Sequence, residues 1–163
     1  MTRKHYSSLG LITSLVVLVA DQASKWWVLH VLHLSDLRQM ELLPVLNLTF
    51  VRNYGITFGL LNGLGPWSAL VLAAIAIAVV VGLVIWLRRA ESSIVAVALG
   101  AITGGAVGNV SDRLRLGFVV DFVDAHLGVW HWYVFNLADA AIVCGVATLV
   151  LENLLTATRR GPA

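Results

Sequence analysis

Residues 67–91 read WSALVLAAIAIAVVVGLVIWLRRAE, and the fold class turns on them. From Trp67 to Leu87 there are 21 residues without a charge, followed at once by Arg88, Arg89 and Glu91. At about 1.5 Å per residue a helix needs about 20 apolar residues to cross a hydrocarbon core of about 30 Å. This run therefore predicts a membrane-spanning helix that ends at a short basic turn.

Working outward, three more apolar segments have the same reach, at about 6–30, 92–111 and 134–155, separated by connections at about 31–66 and 112–133. The first is interrupted by ADQASK at 20–25. It follows TRKH and resembles a leader, but cleavage after Ala20 would place Leu18 where a small residue is needed, so a retained helix is expected. Composition agrees: 59% of the 163 residues are hydrophobic and 12% charged, against about 45–50% and about 25% in soluble domains. The expectation is an all-α membrane protein, one domain over 1–163, with four transmembrane helices and a small β-containing extracytoplasmic loop region.

Orientation follows from the basic residues, which favour the cytoplasmic side. Arg3, Lys4, Arg88, Arg89, Arg159 and Arg160 flank span ends on one side. The other side carries Arg38, Arg52, Arg113 and Arg115, but on the longer connections, so the short RRAE turn decides. Both termini are then cytoplasmic. Tryptophan favours membrane interfaces, and all six fit: Trp26, Trp27, Trp67, Trp130 and Trp132 near the outer boundary and Trp86 near the inner one. The lone Cys144 excludes an internal disulfide and reads as a buried packing residue.

Polar residues interrupt the spans at one depth. Asp21, Ser24 and Lys25 share a helix face, as do Asn109, Asp112 and Arg113, and Asn136 and Asp139 lie three apart at the start of the last span. Ion pairing accounts for several of these: Asp21 with Lys25, and Asp112 with Arg113 or Lys25. Asp139 differs, because its own helix offers no cation before Arg159. A carboxylate in hydrocarbon costs several kcal/mol and so marks a functional position. Two acids brought together in a low-dielectric site share a proton, the arrangement used by aspartic proteases. Spacing alone leaves Asp112, Asp121 and Asp124 open as the partner of Asp139.

Other chemistries lack their residues. No H-E-x-x-H or G-x-S-x-G is present, and His30, His33, His126 and His131 complete no metal shell, so no metal or cofactor is expected. Gly100, Gly104 and Gly108 repeat every four residues and predict a close helix contact rather than a phosphate loop. Residues 45–54, VLNLTFVRNY, partly alternate and predict surface strand, with an edge that could pair with an extended peptide; Gly55 and Gly59 after it permit close backbone approach. A proton-coupled transporter would need polar groups at every depth, yet the inner halves of the spans are bare apart from Glu152. A scaffold held by buried ion pairs is the other alternative.

Five motifs in order resemble the lipoprotein signal peptidase (signal peptidase II) family: DQASK at 21–25, RNYGITFG at 52–59, GGAVGNVSDR at 104–113, VVDF at 119–122 and FNLADAAI at 135–142. The resemblance covers nearly the whole chain. It implies Asp121 and Asp139 as the catalytic pair, with Asn53, Gly55, Asn109, Asp112, Arg113 and Asn136 binding substrate or supporting the site, together with Asp21 and Lys25. It further implies a monomer in the bacterial inner membrane, among membrane lipids, acting near the outer face. The expected substrate is a diacylglyceryl-modified prolipoprotein, cut just before its lipid-bearing cysteine, and the expected inhibitors are cyclic peptides of the globomycin type. Nucleic acid has no place in this reading.

Overall fold

A computed structural model describes residues 3–55 and 67–160. The elements in order are α1 (Arg3–His30), α2 (Leu34–Leu37), β1 (Gln39–Leu43), β2 (Leu46–Asn53), α3 (Ser68–Leu87), α4 (Ser93–Leu116), β3 (Val119–Leu127), β4 (Trp130–His131) and α5 (Leu137–Arg160). Within α1, α3, α4 and α5 lie four segments long and apolar enough to cross a membrane. Gly59 of the RNYGITFG motif falls in 56–66, outside the described residues.

Helix α4 is central and packs against α1, α3 and α5. Its sequence explains the position. A Cβ added at Gly100 would strike the backbone of Gly10, one at Gly104 the backbone of Ser14, and one at Gly105 that of Ala138. The glycine stripe thus lets α1 approach on one flank and α5 on the other, as small residues do in membrane bundles. Ser92 starts α4 by accepting a hydrogen bond from Val95 N, and Gly117 ends it at φ 80°, which a glycine adopts without strain. The helix runs on through Asp112, Arg113 and Arg115. The outward faces expose Leu11, Ile12, Leu15, Val16 and Val19 on α1 and Ile75, Val79 and Ile85 on α3. Apolar side chains satisfy lipid as well as a protein core, so this exposure fits spanning helices.

Cys144 is exposed, not buried as its apolar context suggested. It sits on the outward side of α5, where lipid replaces protein packing. All six tryptophans are also exposed, as residues at a membrane interface should be.

The four strands form one antiparallel sheet in the order β1-β2-β3-β4. Val28, Leu34, Leu48, Val120 and Phe122 form a core that seals this sheet onto the end of α1. The strand expected at 45–54 is present, but its free edge is not: β2 pairs with β1 over 46–49 and with β3 at both ends. The reason is β3, which lies in the connection expected at 112–133 and fills the neighbouring position. A second core of Leu87, Ala90, Ala96 and Leu99, with Tyr6 and Leu149 against it, closes the opposite end of the bundle.

Candidate active site

The polar residues of α1, α4 and α5 meet β3 at one level. Lys25 is the hub of the deepest layer. Its ammonium lies 2.9 Å from both Asp21 and Asp112 and donates to Asn109 Oδ1 at 3.1 Å. An ammonium has three donors, so all are used. Lys25, not Arg113, is therefore the partner of Asp112. Asp21 also accepts from Ala138 N at 3.0 Å, in the first turn of α5. Asp112 accepts from Val120 N at 3.2 Å, the residue before Asp121. Both carboxylates thus hold backbone that carries the next layer.

That layer is built around Asn136, which is fully buried. Its Oδ1 accepts from Asp139 N at 2.9 Å, while Asp139 Oδ2 accepts from Asn136 N at 3.3 Å. This reciprocal pair is a capping box at the start of α5. The same side chain donates from Nδ2 to Asp121 Oδ1 at 2.7 Å, with Asn109 Oδ1 and Val120 O also within 3.3 Å. One amide therefore touches both aspartates. Asp139 Oδ1 accepts in addition from Asn109 Nδ2 at 2.8 Å, and its carboxylate sits at the positive end of α5. Asn109 and the start of α5 thus supply the hydrogen bonds for a charge to which that helix offers no cation.

Asp121 is 2% exposed and accepts from Asn53 Nδ2 at 2.9 Å through its second oxygen. Burial, reinforced by the charge of Asp139, pushes its carboxyl up to about 6, against the pull of the Asn53 and Asn136 hydrogen bonds. Gly55 acts at one remove: its N–H donates to Asn53 Oδ1 at 3.1 Å and fixes that amide. Arg113 lies within electrostatic range of Asp139, Asp121 and Asp112 and donates to Asn109 O at 3.3 Å, while its Nε is buried without a partner among the described residues.

Asp124 points elsewhere. It accepts from Thr49 Oγ1 at 2.9 Å and contacts His131 Nδ1 at 2.8 Å. Burial pushes its carboxyl up, but the His131 and Thr49 hydrogen bonds together outweigh this and leave it below the usual range. His126 stacks on His131 with ring centroids 4.8 Å apart. Among the described residues no group of three His, Cys, Asp or Glu is placed to hold a metal.

Sequence reading missed Gln22. Its Nε2 lies 3.0 Å from Asp112 Oδ1 and 3.1 Å from Asp21 Oδ2, and its Oε1 accepts from Arg115. An amide beside Asp21 in an apolar span was itself the signal. The side chains of Asp21, Lys25, Asn53, Asn109, Asp112, Asp121, Asn136 and Asp139 form one connected network, which Gly55 joins through its backbone N–H and Arg113 through the Asn109 carbonyl.

A sequence profile for the family Signal peptidase (SPase) II matches residues 13–155. A lipoprotein signal peptidase of Methylorubrum extorquens (strain PA1) is 48% identical over 153 residues, covering 92% of this chain and 88% of its own. That of Methylocella silvestris is 40% identical, covering 94% and 90%. Among solved structures, a bacterial membrane enzyme determined by the in meso method at 2.3 Å superposes with a TM-score of 0.80 at 26% identity, over 94% of this chain and 92% of that one.

Proposed function

The chain belongs to the signal peptidase II family, and from that premise we propose that it is an aspartic endopeptidase of the inner membrane in which Asp121 and Asp139 activate water. The observation that supports this best is the Asn136 side chain, which bonds Asp121 Oδ1 through Nδ2 and the Asp139 N–H through Oδ1. With its own backbone N–H bonded to Asp139 Oδ2, Asn136 thus joins the settings of the two carboxyls while leaving Asp139 only partly covered. The substrate is a diacylglyceryl-modified prolipoprotein, and the whole chain acts as one peptidase domain.

The pair begins with one proton between them. The ionised carboxylate takes a proton from water as its oxygen attacks the scissile carbonyl, and the protonated carboxyl donates to that carbonyl oxygen. The tetrahedral diol then returns a proton to the aspartates. The cysteine nitrogen is protonated, the C–N bond breaks, and the signal peptide leaves with a new carboxyl group. Asn53, Asn109 and Asn136 keep both carboxyls oriented throughout. Arg113, with a spare buried N–H, is placed to meet substrate carbonyls. The distribution of basic residues supports an orientation with both termini and the Arg88–Arg89 turn in the cytoplasm and the aspartates near the outer face.

The test is cleavage of a diacylglyceryl-modified precursor, and of its unlipidated form, by the protein in detergent. Lipid-dependent cleavage that is lost in folded Asp121→Asn and Asp139→Asn, and retained in Asp124→Asn, is the expected result. Cleavage that survives in either of the first two variants overturns the pair.

A further inference from the structure

At the end of the bundle remote from Asp139, a cavity of about 700 Å³ opens between α3 and α5, lined in part by Trp86, Glu91, Ser92, Val95, Glu152 and Asn153. It arises because α3 and α5 lie on either side of α4 rather than against each other. Glu152 is half-buried, and its carboxylate has no donor among the described residues; only its backbone carbonyl is engaged, by Thr156 Oγ1 at 2.8 Å. The carboxylate shares the cavity with the apolar side chains of Trp86, Val95 and Leu149, a setting that favours a cation brought in by a ligand.

The cavity connects to the aspartates along α5. At about 100° per residue, Val143, Val146, Val150 and Asn153 all lie within about 40° of the direction of Asp139. The three valines are 66%, 47% and 52% exposed. They form an apolar track that leads from the reacting end into the acidic cavity. From Asp139 to Asn153 the helix rises by roughly 21 Å at about 1.5 Å per residue. A signal peptide has a basic n-region followed by an apolar stretch of about 7–15 residues, roughly 10–22 Å as a helix.

Resting on the peptidase reading above, we propose that this cavity receives the basic n-region of the signal peptide, with Glu152 and Glu91 as its anionic contacts and the valine track holding the apolar stretch. Charge complementarity argues for this occupant: among the described residues the cavity lining carries two carboxylates, Glu91 and Glu152, and no basic side chain, although Arg88 and Arg89 stand nearby in the turn.

The test uses the full chain in lipid nanodiscs and two synthetic diacylglyceryl precursors, one with lysines in the n-region and one with glutamines there. On the unsubstituted protein, the neutral precursor is expected to raise KM roughly three- to tenfold with kcat unchanged. Glu152→Gln, alone and with Glu91→Gln, should raise KM for the lysine precursor to the same degree and leave the glutamine precursor unaffected. Glu152→Lys should favour a precursor with glutamates in the n-region. Equal KM for both precursors on the unsubstituted protein overturns the proposal without any variant, and would leave the cavity to a lipid headgroup. Equal losses on both precursors in the variants overturn it too. If neither precursor is cut at all, the peptidase reading itself has failed and the inference falls with it.

Discussion

Replacing Asp121 by asparagine should make the protein's stability less dependent on pH, by an amount the site geometry sets. The folded carboxyl titrates near 6 and the unfolded one near 3.8. The folded state therefore holds the proton more tightly, and between these values it binds more protons than the unfolded state. Stability then falls as pH rises through that window and levels off above it. At about 1.4 kcal/mol per pH unit the gap corresponds to about 3 kcal/mol when fully expressed, most of it between pH 4 and 7. The residue is almost wholly buried, so solvent screening takes little away. Asparagine cannot ionise, although it must face the amides of Asn53 and Asn136 with one acceptor instead of two. That loss does not vary with pH, so subtracting the two proteins isolates the titration. Equilibrium unfolding in detergent from pH 4 to 8 should show the variant gaining about 2–3 kcal/mol on the parent as pH rises. A flat difference, or one of opposite sign, would refute the account of a carboxyl held in an unfavourable setting by its neighbours.

Three further outcomes follow from the same contacts. In the peptidase assay, kcat/KM should fall by up to tenfold per pH unit above about 6 as the pair loses its last proton, and a rise over that range would count against a shared-proton mechanism. Lys25→Met should destabilise by about 3–5 kcal/mol in equilibrium unfolding, because it strands Asp21 and Asp112 without a cation; a loss under about 1 kcal/mol would mean the layer tolerates charge. Gly104→Ala should cost about 1–3 kcal/mol through collision with the α1 backbone, and an unchanged unfolding midpoint would mean α1 can move away freely.

How much of this was legible beforehand depended on the kind of signal. Apolar runs and basic turns are local, so the four helices could be read directly. Asp21, Asp112 and Asp139 stood out because a charge inside hydrocarbon is conspicuous, and helical spacing placed them at one level. Spacing left Asp112, Asp121 and Asp124 open beside Asp139, because Asp121 reaches Asn136 through the register of β3 against β2 and an amide on another element, neither of which is local in sequence. The family resemblance is what chose Asp121 among the three. Cys144 misled for a different reason: in a membrane, apolar sequence does not distinguish a side chain facing lipid from one facing protein. The sheet was half seen, since Val119 and Val120 are both buried and blur the alternation that marks a strand.

Asn136 ties the two aspartates to the first turn of the last helix, and this has a bearing on how the protein is made. A chain emerging from the ribosome with only its first three long helices in the bilayer has Asp121 and Asn53 but neither the Asn136 amide nor Asp139. On the proposed mechanism that unfinished chain cannot hydrolyse a peptide bond, because the two aspartates are not yet neighbours. On the same mechanism the capability depends on residues 136–139 coiling and docking, and it is lost if that turn frays. A protease built in this way would stay inert in a membrane crowded with half-inserted chains until its own last helix is in place.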